Sequence, residues 1–324
     1  MPTPPAATLR PAGGRRHVPV VSVGNLAMGG RGKTPTVAHV TALLMAAGER
    51  PAILSRGYGR RVVEDGVVIV SDGRHLRADL DRSGDEPLML ARQLPGASVL
   101  VCDVRAMSAA LAETTLGATI HVLDDGFQHR SLQRDIDLVL VTPADLDGRR
   151  VPFGRLRSPV RALATADAVI VDATDATGIM PRLVTLIDRN RTEVFTLRRS
   201  LGPPFWLEPQ ASDVGQAWSD PGPVVALAGI AAPERFVRTL EAAGWQVADL
   251  IGFADHHRYS RRDLDRIATA AKGRVVVTTE KDAMRLLPLR PLPVAIAAVP
   301  LVASVEPADL FRSWLLARVV EVRA

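Results

Sequence analysis

The stretch Val18–Thr36, VPVVSVGNLAMGGRGKTPT, decides the fold. Its apolar run Val18–Val23 reads as a buried strand. The run leads into Gly29-Gly30-Arg31-Gly32-Lys33-Thr34, and a helical pattern follows at once. Glycines let backbone N–H groups approach an anion, and a helix N-terminus favours negative charge. A Lys can reach the β- and γ-phosphates, and a Thr hydroxyl can hold Mg²⁺. Together these make a cradle for a nucleotide triphosphate, with Gly29, Gly30, Arg31, Gly32, Lys33 and Thr34 as its binding residues. The strict spacing G-x-x-x-x-G-K-[ST] asks for glycine where Ala27 stands. The plainer alternative is a tight glycine turn with an incidental Lys.

Outward from this stretch, apolar strands alternate with helices. A helix is expected over Pro35–Ala47, ended by Gly48. Strands are expected at Pro51–Ser55, Ser98–Cys102, Thr119–Leu123, Asp137–Val141, Asp167–Val171 and Glu193–Arg198. Helices should follow Gly84, cover Ala106–Leu116 and cover Met180–Asp188, and Val62–Val70 reads as a hairpin turning at Glu64-Asp65-Gly66. This pattern predicts an α/β fold, a parallel sheet covered by helices on both faces, spanning residues 17–198. Residues 1–16, rich in Pro, Gly, Ala and Arg, read as a flexible arm. The Pro- and Gly-rich segment 199–223 reads as a linker or an irregular β segment. A second alternation over 224–324 predicts a smaller α/β domain.

Composition agrees. With 324 residues, 47% of them hydrophobic and 23% charged, the chain can build one large core or two ordinary ones. The formal net charge is +5, carried almost wholly by Arg, since Lys occurs only at 33, 272 and 281. A basic surface suits nucleic acid, anionic lipid or a phosphorylated substrate alike. The single cysteine, Cys102, excludes an intrachain disulfide and a Cys-based zinc site. No apolar run reaches 18 residues and the first residues lack an apolar signal core, so a cytoplasmic protein without a transmembrane helix is expected.

Several polar strings stand where chemistry could occur. Asp124-Asp125-Gly126-Phe127-Gln128-His129 follows a strand, where acids beside a phosphate loop position Mg²⁺; a polar Asp-Gly turn is the simpler reading. Asp85 in Gly84-Asp85-Glu86-Pro87 could act on a substrate or only cap a helix. The pair His256-His257 could bind metal, serve as base or contact phosphate, or simply be solvated. Thr278-Thr279-Glu280-Lys281-Asp282 reads most simply as a capped helix start. Two arginine clusters, Arg56/Arg60/Arg61 around Tyr58 and Arg149/Arg150/Arg155/Arg157/Arg161 around Phe153, could meet anions.

These strings, VPVVSVGNLAMGGRGKTP, LSRGYGR, GDEPLMLA, Asp103-Val104-Arg105, VLDDGFQHRSLQRDIDLVL, GRLRSP, FADHHRY and TTEKDAMRL, occur in order over about residues 17–290. Together they resemble the tetraacyldisaccharide 4′-kinases of lipid A biosynthesis in Gram-negative bacteria. The resemblance implies a P-loop kinase core with a smaller α/β domain closing a cleft. The implied reaction carries the ATP γ-phosphate to the 4′-hydroxyl of tetraacyldisaccharide 1-phosphate, giving lipid IVA. It implies ATP and Mg²⁺ as cofactors. Lys33 and Thr34 would hold phosphates and metal, Asp124 and Asp125 would be the metal-side acids, and His129 would neighbour them at the substrate. Asp85 would be the base, assisted by His256. Tyr58, Arg105 and Arg157 would contact the sugar or its phosphate.

The resemblance also implies peripheral attachment to the cytoplasmic side of an anionic inner membrane, with no obligate protein partner. Two departures stand out. Relatives begin with an amphipathic apolar segment where this chain has a Pro/Gly/Arg arm. They also tend to carry LREP where this chain has Leu156-Arg157-Ser158-Pro159, so Ser158 cannot supply that carboxylate. A P-loop GTPase, ATPase switch or metallochaperone-like NTPase is the main rival, but Met28 stands where the latter's signature Lys belongs, and no [NT]KxD motif occurs. Nucleic-acid binding is not expected, because aromatics are only 4% and the Arg are scattered instead of interleaved with stacking residues.

Overall fold

A computed structural model describes residues 17–30, 32–129, 131–208 and 222–324. The expected arm 1–16, the loop residue Arg31 and most of the expected linker lie outside these described residues. The strands are β1 (Val20–Asn25), β2 (Pro51–Ser55), β3 (Val68–Asp72), β4 (Ser98–Val101), β5 (Ile120–Asp124), β6 (Ile136–Val141), β7 (Ala168–Asp172) and β8 (Glu193–Leu201). They continue as β9 (Phe205–Trp206), β10 (Val224–Ala228), β11 (Val247–Gly252), β12 (Val276–Thr279), β13 (Ile296–Val299) and β14 (Leu301–Glu306).

Nine of them form a sheet in the order β14-β8-β7-β6-β1-β5-β2-β4-β3. The pairings from β8 through β4 are parallel, and β3 joins β4 antiparallel at the edge. Every residue of β1, β2, β4, β5 and β6 is buried, as a sheet covered on both faces requires. The crossover from β1 goes to one side, to β2. The connection from β5 to β6 passes over β1 to the other side. The strand order therefore reverses at β1, and the carboxyl ends beside it form the crevice where open α/β sheets bind ligands.

Contacts divide the chain into two units, one running to Arg198 and resuming at Ala303, the other spanning Arg199–Val302. This corrects the expected boundaries. The last segment, assigned by sequence to the smaller domain, belongs to the larger one: β14 joins its sheet edge beside β8, and the helix Ala308–Arg323 lays Phe311 against Phe195 (ring centroids 5.0 Å apart). Residues 199–208 are likewise part of the smaller unit, since β9 pairs antiparallel with β13. That unit has a five-stranded sheet, β11-β10-β12-β13-β9, otherwise parallel.

Two local expectations also change. The hairpin at Val62–Val70 is absent, and only β3 forms. The amides of Arg61 and Val62 both donate to the Asp81 carbonyl, so they are unavailable to a strand ladder, and Glu64 is held by Arg82 at 2.9 Å. The helix expected at Met180–Asp188 lies earlier, at Ala176–Leu183, and accommodates Pro181.

Candidate active site

Four loops leave the carboxyl ends of β1, β2, β5 and β6 and meet around one anion-seeking centre in the larger unit. The first is the glycine loop. Gly32, left-handed at φ 86°, turns the chain into the helix Lys33–Ala46. Lys33 sits at that helix's first position. Its Nζ lies 3.3 Å from Asn25 Oδ1, 3.4 Å from the Gly29 carbonyl and 3.4 Å from Asp125 Oδ1. Thr34 is buried beside it.

The second contribution comes from β5. Asp124 ends that strand, buried, accepting from Ser55 Oγ at 3.3 Å. Asp125 follows at φ 58°, a left-handed backbone uncommon outside glycine though more accessible to Asp than to most residues. Arg157, on the loop after β6, grips Asp125 with Nη1 to Oδ2 and Nη2 to Oδ1, both 2.6 Å, and also donates to Asn25 Oδ1 at 2.8 Å. Burial alone would raise the Asp125 carboxyl, but the Arg157 hydrogen bonds and the Lys33 charge hold it below the usual carboxylate range. Arg157, expected at the sugar or its phosphate, is therefore built into the phosphate-loop side. The neighbouring Ser158, lacking a carboxylate, accepts from Gln128 Nε2 at 3.1 Å.

Asp85 opens the helix Asp85–Gln93 and is buried. The cap position itself belongs to Gly84; the Asp85 carboxylate accepts from the Glu86 amide at 2.9 Å. Gly84 stands at φ 84°, and a Cβ there would meet the Tyr58 carbonyl at 2.7 Å. Only glycine lets the Arg56–Arg60 loop close onto the start of this helix. That approach brings the backbone of Tyr58, whose side chain is 70% exposed, to the residue before Asp85.

Arg105 is buried and donates to the Cys102 and Asp103 carbonyls at 2.9 and 3.3 Å. Burial, then the Arg56 charge, lower its pKa, while Asp124 is among the groups opposing them. His129 accepts or donates at 2.6 Å to Ser131 Oγ; burial, Arg105, Arg56 and Arg134 all lower its pKa, so it is neutral at pH 7. Lys33 and Arg157 thus pair with Asp125 and Arg105 faces both aspartates, whereas Arg134 is paired with Asp137 and Arg56 with Asp103.

The smaller unit carries His256 in a tightly built loop. His256 is left-handed at φ 56°, and its amide donates to the Gly229 carbonyl at 3.1 Å. Its neighbour His257 is otherwise engaged, stacked on Phe253 at 4.5 Å and paired with Asp263 at 3.2 Å. Beneath both lies Asp282, fully buried. It accepts from Tyr259 Oη at 2.8 Å, from Thr279 Oγ1 at 2.7 Å and from the Gly229 amide at 3.1 Å. Arg285 Nη1 lies 3.2 Å from Asp282 and donates to the Gly229 carbonyl at 3.0 Å. Burial, with Asp282 close by, raises the Tyr259 phenol, keeping it protonated as a donor.

Sequence reasoning left two residues without a site role. Asn25 has no assigned role in the sequence, yet its Oδ1 joins Lys33 and Arg157. Asp282 was read as part of a capped helix start. Its amide does donate to Thr279 Oγ1, but the carboxylate also anchors the histidine loop. In both cases the available signal was membership of an ordered motif string.

The residues present fit a nucleotide with Mg²⁺. Asn25 Nδ2, Arg157 Nε and Arg60 Nη1 are buried donors that meet no acceptor among the described residues, open capacity suited to phosphate oxygens. Thr34 and Asp124 offer hard oxygen ligands. No group of three or more His, Cys, Asp or Glu side chains able to hold a metal occurs among the described residues. Mg²⁺ needs none, because it takes one or two carboxylates and completes its shell with water and substrate phosphates.

Known proteins resemble this chain over most of its length. The family model for tetraacyldisaccharide-1-P 4′-kinase matches residues 10–320. A tetraacyldisaccharide 4′-kinase from an Anaeromyxobacter species is 41% identical over 298 residues, covering 85% of this chain and 76% of that protein. One from Rhodopseudomonas palustris is 41% identical over 288 residues, covering 87% and 78%. The crystal structure of Aquifex aeolicus LpxK in complex with ATP superposes with a TM-score of 0.75 at 30% identity, covering 93% of this chain and 88% of that one. The chain belongs to the tetraacyldisaccharide-1-P 4′-kinase family.

Proposed function

We propose that this kinase transfers the γ-phosphoryl group of ATP to the 4′-hydroxyl of a tetraacyldisaccharide 1-phosphate at the cytoplasmic face of a membrane. The observation that carries the reading is the convergence of Asn25, Lys33, Asp125 and Arg157 beside the left-handed glycine loop, in a chain of this family.

In this reading the Gly29–Gly32 backbone and the Lys33–Ala46 helix N-terminus cradle the phosphates. Thr34 and Asp124 would hold Mg²⁺, which when bound neutralises charge on the phosphate oxygens. Arg157, fixed by Asp125, keeps Lys33 and its own free Nε directed at the same anion. Asp85 accepts the 4′-hydroxyl proton as the acceptor oxygen bonds to phosphorus and the bridging bond to ADP breaks. His256 is the assisting residue that the family resemblance implies. Tyr58 and Arg105 serve the sugar side, and His129, neutral, borders it as a hydrogen-bonding group.

The test is purified protein with Mg²⁺, γ-labelled ATP and tetraacyldisaccharide 1-phosphate in mixed micelles. Label should appear in a bis-phosphorylated lipid. ATP hydrolysis without labelled lipid would show a switch-type NTPase instead.

A further inference from the structure

Large apolar side chains that remain exposed in the larger unit are unevenly placed. Among the described residues, most stand just beyond the carboxyl edge of the parallel sheet: Met28 after β1, Val63 after β2, Val104 and Met107 at the start of the helix Arg105–Thr115 after β4, Val151 and Phe153 after β6. These same loops bear the candidate site. The extreme case is Phe153, 84% exposed, although its surroundings are firmly built. Val151 N donates to the Leu156 carbonyl at 3.0 Å, and Leu156 N returns to the Arg149 carbonyl at 3.0 Å. The hairpin is so tight that a Cβ at Gly154 would collide with the Arg149 carbonyl. Met28 N donates to the Arg155 carbonyl at 2.9 Å, pinning the hairpin to the phosphate loop. A rigid turn thus holds an aromatic ring in water, ringed by exposed Arg149, Arg150 and Arg155.

We infer that this carboxyl-edge rim is a membrane-docking face for an anionic bilayer, with the Arg149–Leu156 hairpin as its insertion point. The inference rests on the lipid-kinase reading above. An aromatic tip with basic flanks matches the interfacial region of such a bilayer, where the ring enters the headgroup boundary and each Arg meets anionic lipid. The same charges oppose a second copy as occupant. A two-fold interface sets a patch against itself and would place Arg149, Arg150 and Arg155 opposite their own equivalents. Phe153 stands on the same connection after β6 as Arg157 of the site, and the Met28 amide's bond to the Arg155 carbonyl ties its hairpin to the phosphate loop.

Flotation of the full chain with vesicles of phosphatidylcholine, with and without phosphatidylglycerol, tests this. The wild type should float with anionic vesicles. Phe153→Asp should lower the bound-to-free ratio at least ~10-fold, and each of Arg149→Glu and Arg150→Glu by about fivefold. Val320→Asp is the control. Val320 is 65% exposed on the helix Ala308–Arg323, whose Arg323 bonds Glu49 and the Thr119 carbonyl near the opposite, amino edge of the sheet. It should float as the wild type does.

Unimpaired flotation of Phe153→Asp, or equal losses in Phe153→Asp and Val320→Asp, overturns the inference. So does a wild-type dimer that Phe153→Asp dissociates without changing flotation. Mixed-micelle assays separate the two readings. Labelled lipid from Phe153→Asp at the wild-type rate, with flotation lost, supports docking. No labelled lipid from the wild type overturns the kinase reading on which it rests.

Discussion

Arg157 and Asp125 form a fork-to-fork pair, two hydrogen bonds of 2.6 Å each, and the same guanidinium reaches Asn25 at 2.8 Å. The pair joins the loop after β6 to the loop after β5 and sets the lysine of the phosphate loop. Lysine at position 157 could supply the charge without the planar fork. Arg157→Lys should therefore lower kcat/KM by ~10²-fold, with a smaller loss of thermal stability. Steady-state kinetics beside a melting curve checks this; a variant equal to the wild type would reduce Arg157 to a surface charge.

The same pair makes stability depend on acid. Asp125 is held below the usual carboxylate range in the fold, so the unfolded chain takes up its proton first as pH falls. Its contribution is complete above the unfolded value of about 4 and is lost as pH drops through the folded one. Asp125→Asn should flatten the fall of Tm below about pH 4. Parallel Tm profiles of variant and wild type below that pH would contradict the assignment.

Asp85 is expected to act on the hydroxyl and not on the nucleotide. Asp85→Asn should cost ~10²-fold or more in kcat, with ATP affinity, measured by calorimetry, essentially kept. An equal loss in both would return Asp85 to a role at its helix N-terminus.

Asp282 should work through His256. Asp282→Asn keeps the shape but weakens the anchor formed with Tyr259 and the Gly229 amide. Each of Asp282→Asn and His256→Ala should reduce kcat by about tenfold or more, while the double variant should be no worse than His256→Ala. Multiplying losses would mean that Asp282 only stabilises the fold.

His129 should titrate below a free histidine, about 6.5, because it is partly buried and faces Arg105, Arg56 and Arg134. The neutral ring is the folded form, so its contribution to stability is present above about 6.5 and is lost as pH falls through the folded value. NMR titration of the ring should show this midpoint, and Arg105→Met should move it upward. A midpoint at or above 6.5 in the wild type would contradict the electrostatic arrangement.

Much of this was legible in the residues. Val18–Val23 followed by three glycines, Lys33 and Thr34 announced a strand, an anion-binding turn and a helix, because local periodicity and glycine chemistry are written in neighbours. Ordered motif strings assigned Asp85, Asp124, Asp125 and His256 to one family. The hairpin at Val62–Val70 misled, because its amides are claimed by Asp81, a partner no local pattern reveals. The final segment misled for a similar reason: a strand and a helix look the same whichever sheet edge they join.

The sequence by itself therefore determined the alternation of strands and helices, the phosphate loop and the family. Only the tertiary structure decided that Arg157 pairs with Asp125, that Asn25 joins Lys33 and Arg157, that Asp282 anchors the loop of His256, and that Ala303–Ala324 returns to the larger unit. It alone showed left-handed backbones at Asp125 and His256. The physical reason is range. Periodicity and turn chemistry act over a few residues, whereas ion pairs, buried carboxylate networks and sheet edges are settled by groups far apart in the chain, such as Arg157 and Asp125 or Asp282 and Gly229.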